Sequence, residues 1–341
     1  MKESVCNMTE ITTQITTQIT TISLNPCIDW QYNIPALSHG GLNRVSIGSS
    51  YATSKAINVA VVLKNLGHHP TVMGINFAQG GQDITSRLDK RGIPHHFVTV
   101  PGRVRVNVKL WETNANIMTE LNQPGTFVPE TYVQELLAKI KAIPHKYAAT
   151  SILVLSGSLP AGMPANIYQQ ILAIWPSQAQ GGRVFLDAEG ESLKLALAAT
   201  NPPYAIKPNI YELEATFGQK FATREDIVAF CQEHLFATGL QVVMVSMGSE
   251  GAMLITPRES FYQPAAQNIT VKGLAGAGDS MVAGAIHALI SHQNKSRQNK
   301  TPVGSADHAN MLKYATAAAT GSVTKIGTSL CTMEDFEKYV Q

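Results

Sequence analysis

The sequence predicts an α/β domain on a mostly parallel sheet covered by helices on both faces, with a small separate sheet beside it. Three observations carry this reading. From Ser151 onward, short apolar runs alternate with amphipathic segments, the pattern of strands joined by crossover helices. The first third instead holds strand-like pieces with polar alternation that do not fit that rhythm. Glycine-rich turns follow several strands, and in such sheets ligands sit outside the strands' carboxyl ends.

The elements follow in order. "ITTQITTQITT" is a short local repeat, so residues 1–18 are expected to be a flexible leader feeding a first strand near Ile19 to Leu24. "DWQYNI", "RVSIGSSY" and "RVRVNVKLWE" are expected to form the small flanking sheet, acting as a lid. In the last of these, Val104, Val106, Val108 and Leu110 fall on one face and Arg103, Arg105, Asn107 and Lys109 on the other. That polar face reads either as solvated or as a surface for phosphate or carboxylate. "INVAVVLKNLG" (57–67) reads as a helix with a glycine stop, and "TVMGI" as a strand. Strands "SILVLSG", "RVFLDAEG", "PYAIKPN" and "LQVVMVSMG" then alternate with helices "PANIYQQILAIW", "ESLKLALAA" and "IYELEATFG", with a further strand at "EGAMLIT".

Composition narrows the function. The 341 residues are 44% hydrophobic and 15% charged, enough for a full core. A net charge of +2 gives no basic surface for nucleic acid, and aromatic residues do not interleave with basic ones. No apolar run approaches the roughly 20 residues of a membrane span, and the N-terminus lacks a signal-peptide pattern. Cys6, Cys27, Cys231 and Cys331 are scattered without a CxxC pair, which fits a reducing cytoplasm. The pairs His68-His69 and His95-His96 lack a third ligand and are expected at the surface.

The chemistry centres on "GLAGAGDSMVAGA". Gly276, Ala277 and Gly278 enter a helix whose orphan N–H groups and dipole favour an anion. Asp279 follows, either as a helix cap or as a carboxylate accepting the proton of an attacking hydroxyl. "KPNIYELE" spaces Asn209 and Glu212 three apart at a helix start, fitting either a capping box or a hydrated Mg²⁺. "VSMGSEGAML" turns through Gly248 after Ser246, a wall for a flat base, and "SGSLPAGMP" gives a Ser/Gly loop after another strand.

Taken together, "TxSLNPCID", "SGSLPAG", "KPNxxELE", "VSxGxEGA" and "GAGDSMVAG" resemble the ribokinase-like sugar kinases, most closely the phosphofructokinase B branch acting on phosphorylated ketohexoses. The match runs in order from about Thr20 nearly to the C-terminus, and "GRVRVNVKLWE" is similar to the lid strand of 1-phosphofructokinases. The resemblance implies one three-layer α/β/α domain over 19–341, with lid strands at about 29–51 and 103–122. It also implies ATP as donor, Mg²⁺, and a homodimer formed through the lids. It makes Asp279 the catalytic base, Gly276, Ala277 and Gly278 the anion hole, and Asn209 and Glu212 the holders of Mg²⁺ through water. Lys207, Ser246 and Gly248 would meet the nucleotide. Asp29 and Asn58 would meet the sugar; Lys55, Arg105, Asn107 and Ser158 would surround its existing phosphate. The implied reaction is fructose 1-phosphate to fructose 1,6-bisphosphate. Tagatose-6-phosphate kinase, 6-phosphofructokinase and a non-catalytic sugar-phosphate binder are the alternatives.

One turn departs from the family pattern. Where a Gly-Gly-Lys-Gly turn is usual, this chain has Thr53-Ser54-Lys55-Ala56. A side chain at a position of positive φ would be strained there, so the turn is expected to be rebuilt or sugar binding to be altered.

Overall fold

The computed structural model describes residues 17–45, 48–115, 117–143, 151–299, 305–325 and 329–340. The expected leader therefore lies almost wholly outside the described residues. The chain opens with β1 (Gln18–Ser23), then crosses to β2 (Cys27–Ile34) and β3 (Ser49–Thr53). Next come α1 (Lys55–Asn65), β4 (Pro70–Gln79), α2 (Gly81–Asp89) and β5 (His95–Arg103). A hairpin, β6 (Arg105–Glu112) and β7 (Ile117–Asn122), leads to α3 (Glu130–Lys141). The alternating half then runs β8 (Ser151–Ser156), α4 (Ile167–Ile174), β9 (Arg183–Asp187), α5 (Gly190–Leu197), β10 (Ala205–Ile206), α6 (Ile210–Phe217), α7 (Arg224–Phe230) and β11 (Val242–Ser246). It closes with β12 (Ala252–Ile255), β13 (Ser260–Gln263), α8 (Ala277–Asn299), α9 (Ser305–Val323) and α10 (Met333–Tyr339).

Nine strands form the large sheet in the order β13-β12-β11-β10-β9-β8-β1-β4-β5. It is parallel from β11 to β5; β12 and β13 add an antiparallel edge. Central strands are apolar throughout because both faces are covered. All six residues of β8 are buried, and each of its leucines, valine and isoleucine contributes about 1.5–3 kcal/mol. Helices α1, α8, α9 and α10 pack in one series and α3, α4, α5 and α6 in another, giving the two outer layers.

Local signals set the helix ends. Ser54, extended at φ −160°, caps α1 by accepting from the Ile57 N–H, and Gly67 at φ +85° ends that turn. Asn209 and Glu212 form a reciprocal capping box on α6, and Gly218 stops it in the left-handed region. The strain anticipated at Thr53 and Ser54 does not arise. Among the described residues Asn268 is the one non-glycine at positive φ, so the turn before α1 is rebuilt in extended conformation.

The small sheet has the order β3-β2-β6-β7, with β2 and β6 parallel and both hairpins antiparallel. Two expectations are corrected here. Arg103 ends β5 of the large sheet and does not belong to the lid strand. The polar face of β6 is not a solvated one: Asn107 and Lys109 are buried, while Val106, Val108 and Leu110 are half exposed. The reason is the register: Asn107 lies opposite Asp29 on β2, so the polar stripe finds a carboxylate across the strands and turns inward.

Candidate active site

Strand ends and helix starts converge on one centre. Gly276 has φ +78°, and a Cβ there would come within 2.4 Å of Leu330 Cδ2, so both backbone and packing call for glycine. A Cβ on Gly278 would sit 3.2 Å from Lys207 Nζ, which places that ammonium over the first turn of α8. The Ala277 N–H donates to the Leu274 carbonyl at 3.3 Å, and the buried Lys207 cation stands beside the start of this helix, whose dipole favours an anion. Lys207 is 4% exposed, and its charge is met by Asp187 Oδ1 at 3.5 Å.

Asp187 was missed in the sequence, although it ends the apolar strand "RVFLD" at the edge where this fold gathers ligands. It also meets Lys55, with Nζ 3.4 Å from Oδ2, and Lys55 Nζ lies 3.8 Å from Glu212 Oε1. Burial opposes ionisation of Asp187, but Lys207 and Lys55 together hold its carboxyl below the usual range. In turn the Asp187 charge, ahead of Glu212 and Asp279, holds the Lys55 ammonium above its ordinary value. Lys55, expected beside the substrate's phosphate, therefore points its ammonium between two carboxylates at the centre.

Asp279 has no such direct partner. It is 5% exposed and accepts one hydrogen bond, from Asn58 Nδ2 at 2.8 Å. Burial, followed by the Asp187 charge, pushes its pKa up to about 7, against the opposing pull of Lys55, the Asn58 bond and Lys207. A carboxyl tuned this way accepts a proton at neutral pH far better than an ordinary aspartate. Asn58, expected on the sugar, is bonded instead between Thr53 and Asp279.

The lid supplies a second cluster. Asp29 is buried, accepting from Asn107 Nδ2 at 2.9 Å and from Cys27 Sγ at 3.2 Å, and pairing with Lys109 Nζ at 3.1 Å. Arg105 donates to the carbonyls of Gln123 and Asn25, and the Asn25 amide reaches Ser158 Oγ at 3.2 Å. Arg105 Nε and Asn25 Oδ1 are buried without a hydrogen-bond partner. A buried guanidinium N–H without an acceptor marks where an anion would complete the set.

The remaining predicted residues fall as follows. Asn209 Oδ1 accepts from the Glu212 N–H and Glu212 Oε2 from the Asn209 N–H, leaving Glu212 Oε1 turned toward Lys55. Ser246 ends β11, bridged to Asn209, and Gly248 turns at φ +59° with open space beside it. Among the described residues no three His, Cys, Asp or Glu side chains gather as a metal cluster. His68 is not the surface residue expected: its Nε2 lies 2.8 Å from His287 Nδ1, and burial, then His287, lower its pKa to about 4. The cysteines Cys27, Cys231 and Cys331 are buried and unpaired, and no described helix is long and apolar enough to cross a membrane.

A glycine turn at a helix start beside a buried carboxylate, at the carboxyl edge of this sheet, is an arrangement that can serve phosphoryl transfer. The pfkB family carbohydrate kinase model matches residues 19–335. The chain belongs to that family. This kinase is 34% identical to the 1-phosphofructokinase of Xanthomonas campestris pv. campestris over 280 residues, 82% of this chain and 86% of that one. Its fold matches phosphofructokinase-2 from Escherichia coli with a TM-score of 0.80 at 24% identity, covering 95% and 98% of the two chains. Ribokinase from Giardia lamblia matches at 0.76 and 16% identity, covering 95% and 98%. The fold is thus ribokinase-like, and the protein is an ATP-dependent sugar kinase of the pfkB family.

Proposed function

We propose that this kinase phosphorylates a ketohexose that already carries a phosphate, with fructose 1-phosphate as acceptor and fructose 1,6-bisphosphate as product. The observation that carries the reading is the buried, unpartnered Arg105 Nε, linked to Ser158 through Asn25, which we read as a second anion site apart from the turn at Gly276 to Gly278. The guanidinium already holds the Gln123 and Asn25 carbonyls, which leaves its Nε–H for an acceptor that a phosphorylated sugar would bring. The Xanthomonas relative's name, 1-phosphofructokinase, supports the same choice.

In this mechanism Asp279 takes the proton of the sugar hydroxyl as that oxygen attacks the γ-phosphorus of ATP. One O–P bond forms, the β,γ-bridging O–P bond breaks, and ADP departs. Gly276, Ala277 and Gly278 receive the transferring phosphoryl oxygens, and Lys207 offsets the charge that builds on them. Ser246 and Gly248 line the nucleotide. Asp29 and Asn107 shape the sugar end, with Arg105 and Ser158 at its phosphate. The Glu212 carboxylate, braced by Asn209, offers Oε1 toward the centre, an oxygen donor suited to a hydrated Mg²⁺. Bound there, the ion would neutralise phosphate charge.

The outer face of the lid carries Trp30 at 36% exposure, Tyr32, Val108 and Leu121 at 57%, with Trp30 and Tyr32 stacked at 6.2 Å. We assign this face to a second copy of the chain, giving a homodimer, and place the protein in the cytoplasm, where its unpaired thiols would stay reduced.

The deciding experiment measures ADP release with fructose 1-phosphate, fructose 6-phosphate and tagatose 6-phosphate. The highest kcat/KM is expected with fructose 1-phosphate. A higher value with either competitor overturns the substrate assignment, and binding of all three without turnover overturns the kinase reading.

A further inference from the structure

We propose that Thr53 is a positioning residue whose hydroxyl fixes the Asn58 amide so that its N–H faces the Asp279 carboxylate. The inference rests on the reading of Asp279 as base.

Thr53 is the last residue of β3 and is 3% exposed. Its Oγ1 lies 2.6 Å from Asn58 Oδ1, and Asn58 Nδ2 lies 2.8 Å from Asp279 Oδ2. An amide oxygen cannot donate, so the Thr53 O–H gives its proton to Asn58, and Asn58 gives its own to Asp279. A terminal amide rotates easily about its last torsion unless both edges are held. Asp279 alone holds one edge; Thr53 holds the other, and the amide plane is then fixed.

That bond is the sole hydrogen bond to the Asp279 carboxylate among the described residues. The charged groups facing it are Lys55 from α1, Asp187 at the end of β9 and Lys207 after β10, and none of them bonds it directly. The direction of the carboxylate is therefore set through Asn58. Thr53 also pairs with Cys27 across the lid sheet, so the strand end that steers the base belongs to the lid. The side chain replacing a glycine of the family's turn has acquired a task.

The experiment compares wild type with Thr53→Val, Thr53→Ser and Asp279→Asn. Thr53→Val should lower kcat about tenfold, the order expected for one buried hydrogen bond, with KM for ATP unchanged. Thr53→Ser, which keeps the hydroxyl, should restore kcat to within about twofold. Independently of activity, ¹³C NMR titration of the Asp279 carboxyl should show its midpoint raised in Thr53→Val, because a donor to the ionised form is loosened. Should Thr53→Val melt too low to assay, Thr53→Ala is measured the same way below its melting temperature. Equal kcat and midpoint in wild type and Thr53→Val overturn the inference, as does a Thr53→Ser enzyme as slow as Thr53→Val. Turnover surviving in Asp279→Asn removes the base instead, while the titration still tests the hydrogen-bonded chain.

Discussion

The transfer centre and the inner face of the lid both bury carboxylates beside lysines, but they distribute their partners differently. In the lid, Asp29 has both oxygens engaged by Asn107, Cys27 and Lys109, and the unmet group is a donor, Arg105 Nε. In the centre, Asp187 takes both lysines, and the under-partnered group is a carboxylate, Asp279, with one amide bond. An unmet donor waits for an anion; a poorly stabilised carboxylate waits for a proton. In the function proposed above the two regions would divide the work, the lid selecting the sugar phosphate and the centre moving the proton and the phosphoryl group.

Asp279→Asn tests that division most severely. It should lower kcat by about 10²–10⁴-fold, the usual worth of a general base, while ATP binding by calorimetry persists. Near-normal turnover would dissolve the contrast between the regions.

Asp187→Asn should act on folding. It leaves Lys207 buried without its counter-charge, and loss of one partner of such a pair costs about 3–5 kcal/mol. The measurement is the urea midpoint, and an unchanged midpoint would show that Asp187 is no keystone for the lysines.

Arg105→Ala should leave kcat nearly intact and raise KM for the sugar phosphate about 10–100-fold, the range of a charge-assisted hydrogen bond. An equal loss in kcat would move Arg105 from the lid's selecting role into the chemistry.

The smallest effect is pH-dependent. With the Asp279 carboxyl at about 7, kcat should halve near that pH relative to its alkaline plateau and fall further as pH drops. Because its folded pKa is raised, this group adds stability below its unfolded pKa of about 3.9 and loses it as pH rises through about 7. Asp279→Asn should therefore flatten the melting temperature over about pH 4–7, and an unchanged slope would place the shift elsewhere.

Much of this was readable without coordinates, for reasons tied to particular residues. The apolar run at 151–156, the glycine stops after α1 and α6 and the Asn209/Glu212 spacing are local patterns, and local patterns survive in a linear string. The alternation along β6 was also visible, but which face turned inward depended on Asp29, 78 positions away in sequence across the strands. Asp187 was one aspartate among many until the lysines at 55 and 207 converged on it. His68 read as a surface residue because His287 is 219 positions distant.

By itself the sequence determined the element types, the parallel core, the glycine turn before α8 and the family, since each rests on periodicity, turn chemistry or residues close in order. Tertiary structure alone decided the partners: that Thr53 reaches Asn58 and Asn58 reaches Asp279, that Lys55 lies between two carboxylates, and that Asp279 is left with a single donor. Charge and hydrogen-bond energies depend on distance in space and on exclusion of water, and neither quantity is written along the chain.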